Sequence, residues 1–441
     1  MKLKPRFLLP EICQHLDDKK ALLLLGSRRS GKTSLLYLLK LELLERKIPD
    51  SQILFFDLEN QLVADQLNEI KDYNSFPLFL QSRGADTKKR TFVFLDEVQY
   101  LQRASSFIKY LVDHFPNLKF IVSGSASILV KKVFSDSMVG RVWIFPVRPL
   151  NFEEFLGFTG EKRLAQVLKK ANFHLDNLGK ISIATFQKSF RFYQEDFSRL
   201  FAQFCRFGGY PEAVLTGSIE GKRKILSSLY SEYIRKDIKH LEEIRQITAY
   251  NNLVRLLAGQ IGQLVNESEL STSLKITRPT INRFLFLLNE TFIIKMLTPY
   301  STNPRQEIIK ASKVYFEDAG LANLLNDSFQ PFERNPHKGS LAENVVFSQL
   351  VKKGIDPFLR LHFWRTKQGT EVDFIVQASG GKIVPVEVKY QRFVKSKIPS
   401  GLRAFIKKYK PENALVLTKS FFSERKLGKT RVLFAPIYII G

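Results

Sequence analysis

Gly26, Gly31, Lys32 and Thr33 hold the fixed positions of "GSRRSGKT" (26–33), which runs straight into the helical pattern "TSLLYLLKLELLE". These residue types at this spacing suit one chemistry, the holding of a chain of phosphates. Glycines let successive backbone N–H groups curl around an anion, and a helix N-terminus adds a positive field. Lys32 is placed to reach the β- and γ-phosphates of ATP, and the Thr33 hydroxyl to hold Mg²⁺. The candidate nucleotide loop is Gly26, Ser27, Arg28, Arg29, Ser30, Gly31, Lys32, Thr33 and Ser34. Arg28 and Arg29 occupy its variable positions, where plain solvent exposure competes with contact to nucleotide or to a neighbouring chain.

Such a loop calls for a carboxylate on a neighbouring buried strand, and "TFVFLDEVQ" (91–99) supplies one. Asp96 ends that strand and would sit near the metal. Glu97, one residue on, points elsewhere and suits a general base for the attacking water. A further apolar run, "KFIVSGSAS" (119–127), ends in Ser123 and Ser125. These either sense the γ-phosphate or hold the water, or simply cap the turn that follows.

A second constellation lies near the C-terminus. "FWRTKQGTEVDFIVQASGGKIVPVEVKY" places Asp373, a spacer of 13 residues, then Glu387-Val388-Lys389. Side chains alternate along a strand, so Glu387 and Lys389 share a face, with Asp373 beside them on the adjacent strand. This is the PD-(D/E)xK nuclease pattern, with Val372 where the motif has proline. Asp373 and Glu387 would bind Mg²⁺, and Lys389 would orient or deprotonate a water that attacks phosphorus. Glu343, on the preceding helical stretch "LAENVV", matches an extra acidic residue often found there. A nuclease fold without cleavage, kept as a DNA clamp, stands as an open alternative.

The elements that must position these groups follow from periodicity. Five apolar runs within 1–150 ("ALLLLG", "QILFFDLE", "TFVFLDE", "KFIVSGS", "VWIFPV") are continuous rather than alternating. That pattern predicts strands buried on both faces of a parallel sheet, joined by helices. Residues 151–245 read as helical, with aromatics at three- and four-residue spacing and a turn at "FGGYPEAVL" (207–215). Residues 246–325 read as three helices and a hairpin. Asn266 opens the second helix, and Thr277 and Pro279 open the third. That order is the winged helix-turn-helix, or else a plain three-helix connector. Lys275, Arg278, Asn282 and Arg283 are its candidate DNA contacts, against the alternative that they are ordinary solvated charges. "NDSFQPFERNPHKGS" (326–340) reads as a linker, and 335–441 as a small mixed α/β domain.

Charge narrows the partners. The 441 residues carry 68 Lys/Arg and 43 Asp/Glu, a formal charge of +25. From Asn335 to Gly441 the count is 20 against 7, a net of +13, so about half the surplus lies in the last quarter of the chain. A basic surplus so placed favours a polyanion, nucleic acid or an anionic membrane face, over acidic substrates. A generally basic or thermophilic proteome is the competing account. No apolar run reaches the roughly 18 residues of a membrane span. Two cysteines, Cys13 and Cys205, without pairing or metal spacing fit a reducing cytoplasm.

Taken in order, "GSRRSGKTS", "FVFLDEVQ", "VSGSAS", "GRVWIFPVRPLNFEEFL" and "FGGYPEAVL" resemble a broad family of bacterial and archaeal ATPases of the AAA+ superfamily. The likeness spans essentially the whole chain, including "KVYFEDAGLANLL". It implies an α/β fold: a P-loop AAA+ ATPase core of parallel sheet plus helical lid, a winged helix-turn-helix and a restriction-endonuclease-like C-terminal domain. It also implies that Arg141, of the Gly140-Arg141 pair before "PLNFEEF", acts as an arginine finger toward the γ-phosphate of a neighbouring subunit. That role needs a homo-oligomer, a dimer or a ring such as a hexamer. An intrachain phosphate contact and a structural ion pair are the alternatives. The expected activity is ATP hydrolysis directed at duplex or branched DNA. A nucleotide-switched regulatory or defence ATPase, and an interaction scaffold with an inactive C-terminal domain, are the competing classes.

Overall fold

The computed structural model describes residues 3–125, 138–238, 246–301, 311–353, 360–378 and 381–440. The chain divides into two compact units. One comprises Met1–Arg148 with Glu232–His240 and Glu290–Phe292; the other comprises Pro149–Ser231, Leu241–Asn289 and Ile293–Gly441.

The first unit is built on strands β1 (Ala21–Gly26), β2 (Ile53–Asp57), β3 (Thr91–Asp96), β4 (Leu118–Ser125) and β5 (Val142–Pro146). They form one sheet in the order β2-β3-β4-β1-β5, and every pairing is parallel. All five runs become strands, and in the three central ones, β3, β4 and β1, every residue is buried. Successive side chains leave on opposite faces. Leu23, Leu25, Val93, Leu95, Phe120 and Val122 pack into one core, and Leu22, Leu24, Phe92, Phe94 and Ile121 into the other. Each such side chain contributes roughly 1.5–3 kcal/mol by leaving water. The helix Lys32–Glu45 follows β1 and lays Leu35, Leu36, Leu39 and Leu43 on the second core. This strand order brings the carboxyl ends of β1, β3 and β4 to one edge, where open α/β sheets bind ligands.

In the second unit a helical region comes first. The helix Phe152–Phe158 opens with a capping box: the Glu154 N–H donates to Asn151 Oδ1 at 2.8 Å, and the Asn151 N–H to Glu154 Oε2 at 2.9 Å. Phe152 packs on Phe201 and Phe204 of the helix Gln194–Phe207. Three helices follow, Ile247–Gly259, Glu267–Leu274 and Arg278–Glu290, then an antiparallel pair of strands, β6 (Ile294–Leu297) and β7 (Lys313–Phe316). Asn266 and Thr277 cap the second and third helices as expected. The last part is a six-stranded mixed sheet, ordered β12-β13-β11-β10-β9-β8. Its strands are β8 (Arg360–Arg365), β9 (Glu371–Gln377), β10 (Ile383–Lys389), β11 (Asn413–Thr418), β12 (Ser423–Leu427) and β13 (Thr430–Pro436).

The stretch expected as a linker is instead packed structure. Phe329 stacks on Phe207, Phe332 meets the Tyr390 ring, and the Asn335 side chain donates to Ser328 Oγ at 3.1 Å. Its two phenylalanines outweigh its polar and proline content.

Candidate functional site

The carboxyl-terminal edge of the parallel sheet gathers the nucleotide residues. Gly26 ends β1, and a Cβ there would lie 2.1 Å from the Val147 carbonyl oxygen, so no larger residue fits. Gly31, at φ +100°, caps the helix Lys32–Glu45 and turns the loop into it. Lys32, 4% exposed, points its ammonium back into the loop, donating to the Gly26 and Ser27 carbonyls at 3.3 and 3.2 Å. Ser34 follows on the helix's first turn, exposed.

Asp96 and Glu97 end β3 with opposite roles open to them. Asp96 is buried and accepts hydrogen bonds from the Ser123 hydroxyl and from Thr33. Burial lifts its carboxyl above the usual range despite those bonds. Glu97 adopts a left-handed backbone at φ 58°, which costs a non-glycine residue about 1–2 kcal/mol. The turn sends its side chain to within 3.8 Å of Lys32. Burial works to raise the Glu97 carboxyl, but the Lys32 charge, a hydrogen bond from Gln99 and the Arg28 charge outweigh it and hold it below the usual carboxylate range. It is therefore ionised at neutral pH, as a base must be.

Two buried hydroxyls at this edge, Ser30 Oγ and Ser125 Oγ, have no hydrogen-bond partner. Buried polar groups are seldom left so, and a polar ligand would satisfy them. The oxygens of Thr33 and Asp96 are hard donors, the kind that hold Mg²⁺ alongside nucleotide phosphates. Bound there, the ion would neutralise charge developing on the phosphates. The residues present fit ATP and Mg²⁺.

Arg28 and Arg29 differ from their reading as exposed loop positions. Arg28 pairs with Asp237 at 3.2 Å, and both side chains are largely covered; Arg29 pairs with Glu232. Lys236 reaches Glu59 at 2.8 Å. Glu232–Ile238, far along the chain, thus lies across the loop in the same unit, and sequence spacing gives no sign of it. Arg6 went unread for the same reason. Its guanidinium donates to the Ser30 and Arg148 carbonyls, each at 2.8 Å, bracing the loop against the exit of β5.

Arg141 stands apart from these groups. It precedes β5 at the amino-terminal edge of the sheet, where its carbonyl accepts from the Ala21 N–H. Its exposed guanidinium pairs with Asp113 at 2.7 Å. Five residues of β1 separate that edge from Gly26, about 17 Å of strand. Within this chain Arg141 therefore makes an ion pair and lies away from the phosphate loop.

In the second unit, Asp373 on β9 and Glu387 on β10 are buried side by side on antiparallel strands. Asp373 Oδ2 accepts from the Val388 N–H at 2.7 Å, and Lys389 Nζ lies 2.7 Å from Glu387 Oε1. Glu387 Oε2 has no partner. Glu343, on the helix Lys338–Lys353, accepts from the Tyr315 hydroxyl and lies 3.8 Å from Lys313 Nζ. Burial first, then repulsion from Asp373, lifts Glu343 to about 8 and Glu387 to about 7. Lys313 also pairs with Glu371 at 3.1 Å. Lys313 and Tyr315 come from β7, ahead of residues 335–441, and no spacing within that stretch signals them. Among the described residues no group of three or more His, Cys, Asp or Glu side chains is arranged to hold a metal ion. A cation would rest on Asp373 and Glu387, a number that Mg²⁺ accepts when substrate phosphates complete its shell.

Lys275, Arg278, Asn282 and Arg283 are all exposed, in the turn before the third helix and on its first turns.

The parallel sheet and the glycine-lysine loop at its edge give the first unit the architecture of a P-loop nucleotide-binding domain. Residues 18–156 match the family model described as an AAA domain, which supports an AAA+ ATPase. Two further models, each described as a domain of unknown function, match residues 198–331 and 338–438. An uncharacterized protein of Haemophilus influenzae is 21% identical over 98% of this chain and 97% of its own length. Another, from Methanocaldococcus jannaschii, is 25% identical over 84% of this chain and 75% of its own. Among solved structures, a Walker-type ATPase of Pyrococcus abyssi is 17% identical, covering 74% of this chain and 96% of its own, with a TM-score of 0.42.

Proposed function

We propose that the chain is an ATP hydrolase that spends nucleotide on nucleic acid. In this reading Lys32 and the loop backbone hold the triphosphate. Thr33 and Asp96 hold Mg²⁺, Ser123 orients Asp96, and Glu97 takes the proton of the attacking water. Arg141 completes the site of a neighbouring subunit in a homo-oligomeric ring. Residues 151–245 form the lid, 246–325 a winged helix that grips duplex or branched DNA through Lys275, Arg278, Asn282 and Arg283, and 335–441 a nuclease-like domain. Action on DNA is translocation, remodelling or junction processing. Asp373, Glu387 and Lys389, with Glu343 behind them, are the groups that would cut. The free thiols Cys13 and Cys205, and the lack among the described residues of any helix long and apolar enough to cross a membrane, support a cytoplasmic setting.

The observation that carries this reading is the meeting of Lys32, Thr33, Asp96 and Glu97 at one sheet edge beside two unpartnered buried hydroxyls. The test is ATP turnover with linear, forked and four-way DNA, with Mg²⁺ or Mn²⁺, scoring binding, strand displacement and cutting together. Turnover that DNA stimulates and that Lys32→Ala abolishes supports it. Turnover indifferent to every DNA structure removes the DNA half.

One observation favours a second reading, a nucleotide-switched regulator. The pairs Arg28–Asp237 and Arg29–Glu232 clip a distant segment onto the phosphate loop, where arriving phosphates would compete for the arginines. Slow, DNA-independent turnover with ATP-dependent assembly is its signature.

A further inference from the structure

The amide of Gln99 bridges the turn after β3 and the end of β4. Its Nε2 donates to Glu97 Oε2, and its Oε1 accepts from the Ser125 N–H at 3.3 Å. Ser125 is the last residue of β4 and the register partner of Gly26, where the phosphate loop begins. Its own hydroxyl is buried and unpartnered. Ser123, two residues earlier on the same face, holds the neighbouring turn, bonding to Asp96 and accepting from the Glu97 N–H at 3.1 Å. The Glu97 backbone is therefore fixed by Ser123, and its carboxylate by Gln99.

We propose that Gln99 is a positioning residue for ATP hydrolysis, which aims the Glu97 carboxylate and ties that aim to the end of β4 beside the phosphate loop. The inference rests on Glu97 being the base. The geometry demands an amide. Only a side chain with a donor at one end and an acceptor at the other satisfies a carboxylate and a backbone N–H at once. Glutamate at 99 would keep the bond to Ser125 and set two carboxylates against each other. Methionine would fill the space and make neither bond.

The test is steady-state ATP hydrolysis by the full chain with Mg²⁺ for the parent, Gln99→Met, Gln99→Glu and Glu97→Gln, alongside binding of a non-hydrolysable ATP analogue. In Gln99→Met, kcat should fall about tenfold with KM for ATP and affinity for the analogue within about twofold. Gln99→Glu keeps the acceptor for Ser125 and loses the donor to Glu97, so it should lose kcat in the same way. A kcat that matches the parent in both variants, or a loss of analogue binding alongside kcat, overturns the proposal, since a merely structural glutamine would do either. Should the methionine variant fail to fold, kcat against KM in the glutamate variant decides alone. Glu97→Gln separates the two failures. If it binds the analogue yet turns over freely, the base assignment fails and the proposal with it. If it is inactive while both Gln99 variants match the parent, only the proposal fails.

Discussion

Gly26 and Lys32 are the residues at which the nucleotide loop has least freedom, for different reasons. At Gly26 the constraint is space, because the Val147 carbonyl occupies the place a Cβ would need. Backbone cannot swing aside as a side chain can, so Gly26→Ala should cost about 2–3 kcal/mol in unfolding free energy and weaken nucleotide binding. Denaturant titration of parent and variant checks it; an unchanged midpoint would mean that β1 and β5 slide apart without penalty. At Lys32 the constraint is charge. Its ammonium is buried among loop carbonyls, with Glu97 at 3.8 Å. Lys32→Ala removes the cation aimed at the phosphates and should lower kcat by at least about 100-fold while leaving the melting temperature nearly unchanged. A variant that turns over at more than a tenth of the parental rate would place the phosphates elsewhere.

Three of the motifs that carry the family resemblance, "PLNFEEF", "FGGYPEAVL" and "KVYFEDAGLANLL", build one joint between elements. Leu150 precedes the helix Phe152–Phe158, and its N–H donates to the Gly209 carbonyl at 2.8 Å. The Gly209 N–H donates to Asp318 Oδ2 at 2.6 Å, and Asp318 caps the helix Ala319–Leu325 by accepting from the Leu321 N–H at 3.1 Å. Gly320 approaches the Phe207 carbonyl so closely that a Cβ would sit 2.2 Å from it. Asp318→Ala strips the Gly209 and Leu321 N–H groups of their acceptors and should destabilise the chain by about 2–4 kcal/mol, and Asp318→Asn, whose single oxygen serves only one of them, should recover no more than part of that. Chemical denaturation followed by circular dichroism tests this, and a loss below about 1 kcal/mol in Asp318→Ala would mean that these two bonds do not hold the joint. The sequence made each element legible and hid their meeting. Strands such as "ALLLLG" and caps such as Asn266 and Thr277 declare themselves through local pattern. β12 did not, because "SERKL" is an exposed edge strand with no apolar face to read. The same division holds at the site. Lys32, Thr33, Asp96, Asp373 and Glu387 follow spacings that local chemistry imposes. Arg6, Gln99, Lys313 and the partners of Arg28 and Arg29 depend on which strands lie next to each other, and no window of sequence records that.

At the scale of the whole molecule the excess of positive charge has to be either a general property of the surface or a grip. The two differ in how affinity responds to salt. A grip on DNA made by a set number of cations releases that number of counterions, so log K falls with log salt at a slope of about −0.9 for each phosphate contacted. A diffuse +25 with no defined footprint would hold any polyanion, acidic polypeptide as readily as duplex, and would lose no definite slope when three charges are removed. Lys275, Arg278 and Arg283 are exposed around the start of one helix, so the proposed grip there would have a bounded footprint, the turn before the helix and its first two turns. Changing all three to alanine should lower the magnitude of the salt slope for a labelled duplex by about 3, weakening binding alike for unrelated sequences. Parent and variant titrated at four salt concentrations, with poly-glutamate as competitor, measure this directly. A slope unaltered by the triple change would show that the helix does not hold DNA and would shift the grip to the basic stretch from Asn335 onward, whereas duplex displaced by poly-glutamate at equal charge would show diffuse surface charge and no grip.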